Sequence, residues 1–65
     1  MRSFGSNLQN LRKYAGYSQR EFAELVGTTQ QHVSEWECGK VEPTLSNIVR
    51  IPCVLEITFE ELTEE

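Results

Sequence analysis

Apolar residues recur along this chain at intervals of three and four, and short groups of Gly, Pro, Ser or Thr interrupt them. That spacing is helical, and no alternating segment of strand length stands out. Phe4, Leu8, Leu11 and Ala15 line one face of a first helix, which Ser6 can cap and Gly16 ends. Arg12 and Lys13 in its last turn suit the negative end of the helix dipole. Ser18-Gln19-Arg20-Glu21 has the form of a capping box. It opens a second helix with Phe22, Leu25 and Val26 on the apolar face and Gly27 at the end. Thr28-Thr29 supplies the cap of a third helix running to about Cys38, and Gly39-Lys40 stops it. Pro43-Thr44 starts a fourth, with Thr44 as N-cap and Leu45, Ile48 and Val49 facing inward. Pro52 predicts a kink or an early end there, because proline lacks an N–H and crowds the Ile48 carbonyl. Thr58-Phe59-Glu60-Glu61 is a second capping box for a short fifth helix through Leu62, leaving Thr63 to Glu65 as a loose tail. The predicted fold class is all-α, a bundle of about five short helices in a single domain over residues 1–65.

The second and third helices, residues 18–39, form the unit around which the rest is arranged. Two helices meeting steeply over a short connection need a residue that tolerates positive φ, and Gly27 serves. They also need a small side chain at their crossing, and Ala23 lies four residues earlier. Val33 and Trp36 then pack the third helix back on the second. Each of these alone is ordinary helix packing, whereas the joint spacing of Gln19, Ala23, Gly27, Val33 and Trp36 is much more specific. At about 100° per residue, Thr29, His32, Val33 and Trp36 share one side of the third helix. Gln30, Gln31, Ser34 and Glu35 share the other. A glutamine can bond adenine at N6 and N7, and a major groove admits one α-helix. For two glutamines taken alone, solvated residues of a first turn are the better explanation.

Composition changes the picture in two places. A chain of 65 residues hides only about 60% of its unfolded surface, so a dimer interface or a ligand has much to add. The net charge of −4 opposes a polyanionic partner, but it is unevenly spread. Arg2, Arg12, Lys13 and Arg20 fall in a stretch without acids, and Glu56, Glu60, Glu61, Glu64 and Glu65 in one without bases. Cys38 and Cys53 form no CxxC pair and His32 stands alone, which predicts no metal site and no cofactor. The apolar run from Ile48 to Leu55 is broken by Arg50 and Pro52 and is too short to span a bilayer. With no signal peptide evident, a cytoplasmic location with reduced thiols is expected. Catalysis is not expected either: His32 falls on the packed side of its helix, and Cys38 has no activating partner.

Val26-Gly27-Thr28-Thr29-Gln30-Gln31 resembles the start of the recognition helix in lambdoid phage repressors, of the Cro/CI-like (XRE) regulator family. Val33-Ser34-Glu35-Trp36-Glu37-Cys38-Gly39-Lys40, Pro43-Thr44-Leu45 and Ile57-Thr58-Phe59-Glu60-Glu61-Leu62 are similar to later runs of the same family, so the likeness covers roughly Leu8 to Leu62. It implies a lambda-repressor-like fold and a sequence-specific transcriptional regulator, a repressor bound as a homodimer to a double-stranded operator with two half-sites. Gln30, Gln31, Ser34 and Glu35 then occupy base-facing positions, Glu35 either accepting from cytosine N4 or remaining a solvated carboxylate. Gln19 matches a phosphate-bonding position at a helix N-terminus. Thr28 and Thr29 combine capping with backbone or thymine-methyl contact, and Lys40, with Arg12 or Arg20, neutralises phosphate. Glu37 takes a structural role. Pro52 and Glu56 depart from the family's small residue and glycine, and Cys53 or Val54 is a candidate for the subunit contact. A different class of function remains open, an antitoxin-like or adaptor module that keeps the fold and binds a protein.

Overall fold

The computed structural model describes residues 4–63, so Arg2 and the predicted tail residues Glu64 and Glu65 lie outside it. Five helices are described: α1 (Phe4–Ala15), α2 (Gln19–Val26), α3 (Gln30–Glu37), α4 (Leu45–Leu55) and α5 (Phe59–Thr63). The all-α expectation holds. Leu8, Phe22, Ala23, Val26, Val33, Trp36, Ile51, Leu55 and Leu62 build one core to which every helix contributes. α3 packs between α1 and α2, α4 lies against α2, and α5 closes on α1.

Local chemistry sets most boundaries. At α2, Ser18 Oγ accepts from the Glu21 N–H and the Glu21 carboxylate accepts from the Ser18 N–H, closing the capping box. Thr58 and Glu61 repeat the arrangement at α5. Thr44 sits at the N-cap of α4, but its side chain makes no cap bond and instead accepts from Asn47 Nδ2 at 3.2 Å.

Several expectations change in the packed molecule. α1 includes Phe4 and Gly5, so Ser6 lies inside the helix rather than capping it. Leu25 is 54% exposed and its place in the α2 face goes to Ala23, because the buried stripe is Phe22, Ala23 and Val26. In α4 the inward residues are Ile51, Pro52 and Leu55, while Leu45 (78% exposed) and Val49 (60%) face out. Both stripes have helical spacing and share the half-buried Ile48, so tertiary contact chose between them. Pro52 does not end the helix, which runs on to Leu55. Pro52 is itself buried, and burial of Leu55 beyond it holds the last turn in place. The glycine-like ending is also retained: Glu56 adopts a left-handed conformation (φ 56°, ψ 44°) and the Ile57 N–H reaches back to the Pro52 carbonyl at 3.0 Å. Thr63 extends α5 by a residue, its hydroxyl donating to the Phe59 carbonyl.

Candidate nucleic-acid interface

The α2–α3 connection is built on two amides that converge on one carbonyl. Gly27 (φ 90°) and Thr28 both donate to the Ala23 oxygen at 2.9 Å. Arg50 of α4 adds a bond from Nη1 to the Val26 carbonyl, 3.3 Å, which closes the C-terminus of α2. Thr29 then caps α3, its Oγ1 accepting from the His32 N–H.

α3 is anchored by its opposite face. Val33, Trp36 and Glu37 are buried, and Gln30, Gln31, His32 and Ser34 are exposed. Glu35 is half-buried, and the N–H groups of Lys40 and Val41 donate to its carbonyl as the chain leaves the helix. Lys40 itself is exposed. Of the predicted reading residues, Gln30, Gln31, Ser34 and Glu35 therefore share one helix, with Thr28, Thr29 and Lys40 at its two ends. His32 contradicts the expectation that it packs inward. It is exposed, with Nδ1 2.8 Å from the half-buried Thr28's Oγ1.

Beneath α3 lies a buried ionic cluster that joins three helices. Arg12, only 5% exposed, donates from Nε to Glu37 Oε2 (2.6 Å) and from Nη2 to Oε1 (3.1 Å). Its Nη1 bonds the Tyr17 carbonyl at 2.7 Å. Arg12 is thus unavailable to phosphate, a correction to the sequence reading, and Glu37 has the structural role expected of it. Gln19 joins the same cluster through Nε2 to Glu37 Oε1, 3.1 Å, which fixes its side chain at the first turn of α2. Arg20, the other candidate cation, is exposed and pairs loosely with Glu24 at 3.7 Å.

Two structural residues escaped the sequence reading. A Cβ on Gly5 would lie 2.5 Å from the Trp36 carbonyl oxygen and nearer still to that of Glu37, so the absence of a side chain lets α1 cross the end of α3. Buried Asn7 donates from Nδ2 to the carbonyls of Glu61 (3.0 Å) and Leu62 (2.6 Å), tying α5 down. Neither carries a motif signal, since a glycine and an asparagine inside a helix are unremarkable until their neighbours are known. Cys38 and Cys53 are free surface thiols.

The fold is that of the lambda-repressor-like DNA-binding domains. Its backbone superposes on the phage P22 c2 repressor, solved in complex with a synthetic operator, with a TM-score of 0.91 over 98% of this chain and 97% of that one, at 22% identity. The restriction-modification controller protein C.AhdI from Aeromonas hydrophila is 36% identical, with a TM-score of 0.86 over 91% of this chain and 89% of that one. A sequence model described as helix-turn-helix matches residues 8–62, and the chain belongs to that family, of Cro/C1 (XRE) type. A curated relative, the SPbeta prophage-derived uncharacterized HTH-type transcriptional regulator YonR of Bacillus subtilis (strain 168), is 34% identical over 91% of this chain. The chain spans 55% of that protein's length. The same fold also matches part of a hydroxypropylphosphonic acid epoxidase from S. wedmorenis, at 33% identity and a TM-score of 0.83 over 92% of this chain but 32% of that one. Family and fold are therefore fixed, while activity has to be argued from the site.

Proposed function

We propose that the protein is a sequence-specific DNA-binding transcriptional regulator that places α3 in the major groove. The observation that carries this is the division of α3. Val33 and Trp36 lock one face into the core, while Gln30, Gln31 and Ser34 stand free on the other, where amides can meet adenine edges. Gln19 and the N-terminal amides of α2 serve a phosphate, Thr28 and Thr29 the adjoining backbone, and Lys40 a further phosphate. Glu35 takes a cytosine N4 donor or stays in solvent.

The protein acts as a homodimer on two half-sites about 34 Å apart, and as a repressor in the cytoplasm. Support for pairing comes from Leu45, Val49 and Cys53, exposed at four-residue spacing along α4. Val54, the other candidate for the contact, is partly buried against the core. The acidic charge balance favours a second reading, a module that uses this fold to bind a protein. Selection from a random duplex library at low salt separates the two. A recovered two-fold symmetric motif supports the DNA reading, and loss of even nonspecific retention would sink it.

A further inference from the structure

We infer that His32 is a specificity-determining residue, positioned by Thr28 to offer a ring N–H to a guanine edge beside the bases read by the glutamines. The inference rests on the proposed entry of α3 into a major groove. His32 is exposed in the first turn of α3, yet its ring is held at one nitrogen. Nδ1 lies 2.8 Å from Thr28 Oγ1, while the backbone N–H of His32 donates to Thr29 Oγ1 at 3.2 Å and fixes the backbone it stands on. Thr28 is in turn fixed by its own N–H on the Ala23 carbonyl. An exposed side chain held in this way loses less freedom on binding than a solvated one.

Placement on the helix agrees. The buried side of α3 centres near Val33, so at about 100° per residue Gln31 and Glu35 stand opposite the core, with Ser34 on one flank and His32 on the other. His32 therefore borders the reading row on the side of the turn.

The chemistry of the pair decides what it reads. With Nδ1 engaged by a hydroxyl, only Nε2 is left to face a ligand. A hydroxyl can donate to Nδ1, which puts the ring proton on Nε2 and makes it an outward donor. Guanine shows two acceptors in the major groove, O6 and N7, whereas adenine shows N7 beside an N6 donor. A single outward donor without an acceptor of its own suits guanine, and an acceptor opposite Nε2 selects that tautomer. The amides of Gln30 and Gln31, carrying both donor and acceptor, suit adenine. The half-site therefore holds a G·C pair next to A·T pairs.

The test selects half-sites from a random duplex library with the wild type, His32→Ala, Thr28→Val and Thr28→Ser, with helical content and melting checked for each. The wild type is expected to enrich G at one position. His32→Ala should reduce that preference about 5- to 10-fold while the other positions persist. Thr28→Val should reproduce the loss at the same position, and Thr28→Ser, which keeps the hydroxyl, should retain the preference. An unchanged motif in His32→Ala overturns the inference, as does uniform weakening on all sequences, the mark of a phosphate contact. Thr28→Val also removes a DNA-backbone contact and so weakens every sequence somewhat, but a Thr28→Val variant that keeps the full G preference at that position overturns the positioning role. If the wild type enriches a motif without G beside the A·T pairs, this inference alone falls, and if it retains no duplex at all, the DNA reading falls with it.

Discussion

A methyl group at Gly5 has nowhere to go, since the atoms it would meet are backbone oxygens at the end of α3 that cannot swing aside. Gly5→Ala should destabilise the protein by at least about 2 kcal/mol, measured by chemical denaturation. The Arg12–Glu37 pair behaves differently, because removing one partner leaves the other charged and buried. Glu37→Ala should cost about 3–5 kcal/mol, a large share of what a small domain has. Gln30 and Gln31 bury nothing, so Gln30→Ala or Gln31→Ala should leave the melting temperature unchanged. Under the proposed function each should weaken operator binding by about 1–3 kcal/mol and relax one base position. Equal binding by both variants on the selected site would remove the recognition-helix assignment.

At the scale of elements, the ends of the helices carry separable contributions. Glu56 holds a left-handed conformation that L side chains enter at a cost, and no glycine relieves it. Glu56→Gly should stabilise the fold by about 0.5–1 kcal/mol, net of the extra entropy glycine gives the unfolded chain, and a drop in denaturation midpoint would contradict the strain argument. At α2, the hydrogen bond from the Ser18 N–H, with a further one from its hydroxyl, holds the Glu21 carboxyl below its ordinary value of 4.5. A lowered folded-state pKa means the contribution is present above the unfolded value and is lost as pH falls through the folded one. Glu21→Gln should therefore flatten the decline in melting temperature on acidification below pH 4.5, in comparison with the wild type.

Over the whole molecule, charge sets how the protein meets a polyanion. Lys13, Arg20, Lys40 and Arg50 are the exposed cations among the described residues, Arg12 being consumed in the interior. Neutralising one phosphate each, these four give a slope of log K against log salt of about −3.6 per protomer. Lys40→Ala should weaken binding to all sequences and reduce that slope by about 1, read from titrations at several salt concentrations. Under the proposed function, so shallow an electrostatic contribution leaves much of the affinity to base contacts and to the proposed pairing along α4.

The helices, their capping boxes and the Gly27 turn were legible from local sequence, because a cap or a positive-φ turn is satisfied by residues within a few positions of one another. The division of α3 was legible for Val33, Trp36 and Gln31, whose spacing alone separates buried from exposed. It failed for His32, since residues on the flank of a helix are assigned by what packs there and not by period. The same applies to α4, where two stripes of equal spacing competed and contact with the core selected Ile51, Pro52 and Leu55. That contact also carried the helix past Pro52, against the local preference. The destination of Arg12, the bare approach at Gly5 and the reach of Asn7 to α5 depend on partners 25 to 55 positions away or on backbone from another helix. Sequence by itself determined the elements and the turn, because these rest on short-range geometry, and it carried the family through motif runs that resemble those of its members. Only the tertiary structure decided which charges remain free for a ligand, because burial and pairing are properties of distant residues brought together.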